Sequence, residues 1–236
     1  MREVDFLRVV IDEPDVCSYL PDRTSRLPLE LPYGPLDGEQ VDALLEQGYR
    51  RSGTFFYRPK CPNCVACEAI RLHVDTFEGN RSQRRAVRKG NAGLRFVIGI
   101  PTVDRERVAL FNRHRSERGL DHQDRSVDAA DYQAFLLNAP CPSAEIAIFH
   151  DEQLIAISIA DVGKESLSAV YTFFDPDFSR YSLGTLAVMK QLQLARETKR
   201  TWLYLGLYVE ANRHLNYKAN YRPHQRMQNE KWLDFS

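Results

Sequence analysis

AEIAIFH (144–150), LIAISIADVG (154–163) and SLSAVYTFFD (166–175) follow one another with only Asp151-Glu152 and Lys164-Glu165 as polar breaks. Each run is rich in Ile, Val, Phe and Ala, and each break is short. That pattern predicts three successive antiparallel strands. PDFSRYSLGTLAVMKQLQLARETKR (176–200) then reads as a loop and a helix. Its apolar residues Leu183, Leu186, Ala187, Leu192 and Ala195 roughly follow helical spacing. TWLYLGLYV (201–209) is a further strand, and NRHLNYKANYRP (212–223) a short helix stopped by Pro223.

Antiparallel strands, a helix and another strand, in that order, resemble the GNAT-like (acyl-CoA N-acyltransferase-like) fold. The expected class is α+β, a mixed sheet with flanking helices, joined to a smaller cysteine-containing N-terminal region. The boundary falls near the change of composition at residue 80, which gives regions 1–80 and 81–236. In the first region, residues 14–40 carry five prolines and read as extended, irregular chain. VDALLEQG (41–48) is a short helix with Asp37 as cap and Gly48 just past its end. RSGTFFYRP (51–59) and EAIRLHV (68–74) read as strands. In the second, LRFVIGI (94–100) is a strand, and DRERVALFNRHRSERG (104–119) and VDAADYQAFLLN (127–138) are helices.

The chain has 236 residues, with 32 basic and 32 acidic side chains and aromatics at 11%. Such a chain can bury a core without disulfide staples. A net charge of zero does not exclude nucleic acid, because binding needs only a local basic patch. There is no run of about 18 apolar residues to span a membrane. The opening MREVDFLRVVIDEP carries acids and no long apolar run, so no signal peptide is expected. Five cysteines in that context point to the cytoplasm, where clustered thiols bind metals or react more often than they form disulfides.

Four segments are candidates for chemistry. NRSQRRAVRKGN (80–91) sets Arg81, Arg84, Arg85 and Arg88 on one helical face with no acid among them. This face is either a seat for an anion or a solvated basic surface. CPNCVAC (61–67) offers Cys61, Cys64 and Cys67, and Cys17 supplies a fourth thiol. Four thiolates suit zinc or an iron–sulfur cluster, although the second C-x₂-C pair of a common zinc site is missing. The alternative is buried thiols in a turn shaped by Pro62. RYSLGT (180–185) enters a helix with Gly184 as its lone glycine. That is too little for the backbone cradle coenzyme A needs, but a helix start beside Arg180 and Thr185 would hold one phosphate. YTFFDP (171–176) puts Asp175 at a strand end, to orient or deprotonate an amine or to make an Asx turn before Pro176. The histidines (73, 114, 122, 150, 214, 224) form no metal-spaced pair, and no G-x-S-x-G or Cys–His nucleophile pattern occurs. A covalent enzyme intermediate is not expected.

CSYLPDRTSR (17–26), GYRRSGTFFYRPKCPNCVACEAIR (48–71), NRSQRRAVRKGN (80–91), SAVYTFFDPDFSRYSLGT (168–185) and YLGLYVEANRHLNYKANYRP (204–223) together resemble the bacterial aspartate/glutamate leucyltransferases. These are relatives of the eukaryotic arginyl-tRNA–protein transferases, and the match runs from about residue 15 to about residue 225. The resemblance implies that Leu-tRNA donates its amino acid, as an ester, to the α-amine of a protein beginning with Asp or Glu. The new terminus marks that protein for degradation by the N-degron route. No cofactor is required for this aminolysis and no membrane is involved. The resemblance implies Arg81, Ser82, Gln83, Arg84 and Arg85 for the acceptor carboxylate or the tRNA phosphates, in a division left open. It places Tyr171, Asp175, Thr185, Tyr217 and Lys218 around the cleft, with Asp175 handling the amine proton. Tyr204 or Tyr208 would stack the terminal adenine or pack in the core. Where many relatives have Tyr-Trp and Lys-Met, this chain has Leu207-Tyr208 and His214-Leu215, so arginine stays open as the alternative donor. Leu20 stands where the eukaryotic motif has a second cysteine, so a metal does not simply carry over. Two rival readings remain: an acyl-CoA-dependent GNAT enzyme, and a non-catalytic zinc-containing RNA-binding module.

Overall fold

The computed structural model describes residues 4–119 and 126–236, so His122 and Met1–Glu3 lie outside the described residues. The chain opens with short strands β1 (Leu7–Ile11), β2 (Pro14–Val16), β3 (Thr24–Arg26) and β4 (Leu29–Pro32), then helix α1 (Gly38–Glu46). Residues 14–40 are therefore less irregular than their prolines suggest. α1 starts at a reciprocal capping box between Asp37 and Gln40, and Gly48 follows at φ +82°. The run 51–59 is a hairpin rather than one strand. β5 (Arg50–Ser52) turns at Gly53, φ +58°, into β6 (Phe55–Tyr57).

β7 (Glu68–His73) precedes α2 (Arg81–Gly93), which is capped reciprocally by Asn80 and Gln83. β8 (Arg95–Gly99) and α3 (Arg105–Glu117) follow as the sequence predicts. The expected helix 127–138 is a single α-turn, α4 (Ala129–Tyr132), running into a π-helical turn at Gln133–Leu137. β9 (Ser143–His150), β10 (Gln153–Val162) and β11 (Ser166–Phe174) form the meander. A 3₁₀ segment (Pro176–Tyr181) leads into α5 (Leu183–Glu197) through Ser182 at φ +53°. After β12 (Trp202–Tyr208) only Asn216–Asn220 is helical, as a 3₁₀ turn. A final hairpin, β13 (His224–Gln228) and β14 (Lys231–Phe235), turns through Asn229 and Glu230, both at positive φ. The sequence reading missed it because its faces alternate only weakly in polarity.

Eight strands make one sheet in the order β14-β13-β7-β12-β11-β10-β9-β8. β11 and β12 run parallel, joined by α5, and the meander beside them is antiparallel. This is the mixed GNAT-like sheet with flanking helices. β7, from the segment before residue 80, pairs with both β12 and β13, so the sheet crosses that sequence boundary. α5 packs Leu186 and Leu192, both fully buried, against one face, and α2 lies on α5, with Gly90 against Leu186. α3 covers the other face through Leu110 and Phe111, beneath which sit Ile157, Ile159 and Phe173. Burying each of these large side chains stabilises the fold by about 1.5–3 kcal/mol.

Two adjacent arginines dock the N-terminal hairpin on this sheet. Arg51 forms a buried ion pair with Asp161 at 2.9 Å, with side-chain exposures of 0% and 4%. Arg50 reaches further, donating to the Ser168 hydroxyl at 2.6 Å and the Ala169 carbonyl at 2.5 Å. It passes over Gly206, which has φ +94°. A Cβ there would stand 3.1–3.3 Å from three atoms of the guanidinium group. Gly206→Ala combines a disfavoured φ with that clash. It should cost about 1–3 kcal/mol, seen as a lower midpoint in urea unfolding.

Candidate active site

β11 and β12 pair only through Ser166–Ser168 and Trp202–Tyr204. Beyond that, β11 stays with β10 through Phe174, and β12 stays with β7 through Tyr208. The two parallel strands therefore part, and the guanidinium group of Arg50 sits at the apex of the gap. Burial pulls it below its ordinary pKa, opposed by the charge of Asp161 and by the Tyr57 and Tyr19 phenols.

Lys218 lies beside it. It is 9% exposed, and its Nζ donates to the Leu207 carbonyl on β12 at 2.7 Å. Burial first, and the charge of Arg50 second, bring its pKa down to about 7. An amine in that range exchanges a proton near neutrality, which an exposed lysine does not. Tyr217, its neighbour in the 3₁₀ turn, is 47% exposed.

The site is tied together from both walls. Gln83 Nε2 donates to the Asn220 carbonyl at 3.3 Å, joining the start of α2 to the 3₁₀ turn. The Thr185 side chain, in the first turn of α5, acts on the Tyr221 phenol and opposes the effect of its burial. Tyr171 stands on the free half of β11, packed on Phe111 and Phe135. Burial raises the pKa of both Tyr171 and Tyr217, so each keeps its phenolic proton and remains a donor at neutral pH. The charge of Arg118, the C-cap of α3, reaches both phenols. Its guanidinium group lies 5.6 Å from the Phe174 ring centroid.

Gln83 is thus joined to the 3₁₀ turn that carries Tyr217 and Lys218, and Tyr171 stands on β11 on the α3 side of the sheet. Arg81, Ser82, Arg84, Arg85 and Arg88 are exposed on the outer side of α2, away from Gln83, Ala86 and Gly90, which pack inward. Arg84 also bonds the Gly79 carbonyl. Asp175 is buried, pairs with Arg113 at 2.7 Å and accepts the Asp177 N–H at 3.0 Å. It makes the Asx turn that was the alternative to proton handling. Tyr204 is buried, and its hydroxyl bonds Arg71 and Glu46; Tyr208 is buried under Arg226. Both pack in the core rather than offering a stacking face. Arg50, Arg118 and Tyr221 were not singled out in the sequence. Gly206 in the strand YLGLYV was the available signal for Arg50, because glycine inside a strand marks a close approach.

Cys17, Cys61, Cys64 and Cys67 all line one cavity of about 700 Å³, walled also by Arg23, Lys60 and Met227. Burial first, then the other three thiols, push Cys67 up to about 12. The Arg26 N–H donates to Cys61 Sγ at 3.3 Å, and Arg23 to Cys64 Sγ at 3.4 Å. Among the described residues no three His, Cys, Asp or Glu side chains converge as ligands of one ion. The four thiols share this cavity.

Two family models match the chain. The N-terminal part of arginine-tRNA-protein transferase matches residues 15–85, and its C-terminal part residues 106–228. The aspartate/glutamate leucyltransferase of Aeromonas salmonicida (strain A449) is 38% identical over 232 residues, 98% of this chain and 97% of that protein. The protein of the same name from Hahella chejuensis (strain KCTC 2396) is 36% identical over 217 residues, 92% of each chain. A solved C-terminal domain from Agrobacterium fabrum, named provisionally as part of a lysylphosphatidylglycerol synthetase, shares the fold. Its TM-score is 0.53 at 16% identity, covering 82% of this chain and 61% of that one.

The buried lysine can be tested directly. In an NMR titration of the lysine Cε signals, Lys218, assigned by its loss in Lys218→Met, should titrate near 7 rather than at 10.5. Arg50→Met should move its midpoint upward, because one of the two causes of the depression is then removed.

Proposed function

The chain belongs to the arginine-tRNA–protein transferase family, and from that premise we propose that it transfers leucine from Leu-tRNA to the α-amine of proteins beginning with Asp or Glu. The leucine donor and the acidic acceptors come from the names its relatives carry. What supports transfer to an amine at this place is the parting of β11 and β12, with a low-pKa amine beside the apex. Acyl-CoA is the poorer donor for this site. α5 starts at Ser182 with Gly184 alone, and a Cβ on Gly184 would meet Phe174 at 3.5 Å, so the backbone forms no wide cradle.

The reaction is aminolysis of an ester. The acceptor amine attacks the carbonyl carbon of the aminoacyl ester, and a C–N bond forms. The C–O bond to the terminal ribose breaks, and the amine's proton passes to the ribose oxygen. Neutral Lys218 is our choice for carrying that proton. Above about pH 7 it is the free amine, and below that pH it is protonated and cannot accept. The phenols of Tyr171 and Tyr217 are the donors nearest the gap for the oxyanion that develops at the carbonyl. Arg50 holds the strands apart and keeps the proton carrier's pKa low. Asp175, engaged by Arg113, acts through the loop it caps. The exposed arginines of α2, on the wall beside Thr185 and Tyr217, are suited to the phosphates of the tRNA acceptor end.

Purified protein, Leu-tRNA and Arg-tRNA assayed separately, with peptides beginning Asp, Glu, Lys or Ala, test this reading. Leucine on Asp and Glu peptides alone is the expected result. Arginine on the same peptides would keep the family chemistry and replace the donor. Transfer from neither would remove the reading. For the α2 face, Arg85→Ala should weaken tRNA binding and lower the slope of log Kd against log salt by about one, the share of a single phosphate contact. An unchanged slope would take Arg85 out of the tRNA track.

A further inference from the structure

The acceptor and the tRNA are both anionic, and the chain offers cations in two separate places: the outer face of α2 and the end of α3. We propose that Arg118 reads the side-chain carboxylate of the acceptor's N-terminal Asp or Glu. This rests on the acceptor class given above.

Position is the first ground. Arg118 closes α3 at the end of β11, where the two parallel strands have already parted. Its charge reaches Tyr217 on the wall that follows β12 and, behind that of Arg115, Tyr171 on the β11 wall. It therefore faces the gap from both sides' point of view, whereas the α2 arginines face outward.

Charge pairing is the second ground. Two other arginines of α3 are already committed to carboxylates, and Arg115 lies over the Phe111 ring. Arg107 bonds Asp104 and Glu145; Arg113 bonds Glu117, Asp175 and Asp177. Arg118 is exposed and makes no ion pair with a carboxylate among the described residues; its contact is with the Phe174 ring. An aromatic face steadies a guanidinium group without using its donors, so the fork stays open to a bidentate anion. The half-exposed, solvent-facing rim accepts either length of side chain, which fits acceptance of both Asp and Glu. A lysine would offer a point charge there and not a planar fork.

The test compares peptides beginning Asp, Glu, Asn and Gln, identical in shape pairwise and differing in charge. Wild type and the variants Arg118→Ala and Arg118→Lys are assayed for leucine transfer, and for direct binding of fluorescently labelled peptides without tRNA. In Arg118→Ala, kcat/KM for Asp and Glu peptides should fall about 10- to 100-fold, the loss expected for one charge-assisted pair. The fall should lie mainly in the peptide KM, with the KM for Leu-tRNA unchanged. The preference for Asp over Asn should collapse, and Arg118→Lys should restore part of it. If Arg118→Ala keeps the Asp-over-Asn preference, or loses affinity equally for all four peptides, Arg118 is not the reader. Wild type that transfers no leucine but binds Asp peptides over Asn, with the preference lost in Arg118→Ala, would remove the donor reading and leave this one standing. Wild type that binds Asp and Asn peptides equally would overturn it.

Discussion

A buried guanidinium group with no carboxylate in hydrogen-bond contact is an expensive thing to place in a sheet. Here Arg50 is that group, and the rest of the site depends on it. Its donors take the Ser168 hydroxyl and the Ala169 carbonyl, which would otherwise be free to pair across to β12. Gly206, with no side chain and a positive φ, leaves the space it fills. The strands part because a side chain from a third element stands between them. The same charge then acts on Lys218, adding to the larger effect of burial, so one residue both lies in the gap and helps lower the proton affinity of the amine beside it.

Around that apex the cations are sorted by how they are paired. Arg51, Arg107 and Arg113 are fixed by carboxylates and act as framework. Arg71 lies between the Trp202 and Trp232 rings, at 3.8 and 4.0 Å, and pins the C-terminal hairpin. The arginines of α2 face outward, and Arg118 stands beside the gap at the end of α3. A chain with no net charge thereby presents positive potential where two anionic substrates must meet.

The fold was legible where a run of residues had one period and one kind of break. The meander of 144–175, the helix capped at Asp37, the basic helix within 80–91, and the loop-then-helix after Pro176 all stand as read. The hairpin through Gly53 and the C-terminal hairpin did not, because three- and five-residue strands are too short to show a period. The 3₁₀ turn at Asn216–Asn220 owes its place to Lys218 bonding β12, which no local propensity encodes. For the site, residue type and motif proposed Gln83, Tyr171, Thr185, Tyr217 and Lys218, and the structure shows the gap beside which Lys218 lies. Asp175 was a fair candidate by type, but a buried carboxylate is as useful for capping as for chemistry, and only the position of Arg113, 62 residues earlier, decides between them. Arg118 carried no signal in sequence, since its role depends on which neighbouring arginines are already satisfied.

β7 has its own consequence for how the molecule comes into being. It is made early, yet its partners in the sheet are β12 and β13, near the end of the chain: Ile70 sits opposite both Gly206 and Arg226. During synthesis β7 has no partner strand, and the meander has no neighbour on its β11 side. Loop closure over more than a hundred residues is slow relative to local hairpin formation. The nascent protein therefore exposes two unfinished strand edges until its last segment emerges, a window in which chaperones or self-association compete with folding. The gap that holds the reaction exists only once that late-arriving strand is seated, so a truncated product of translation has no partly active form.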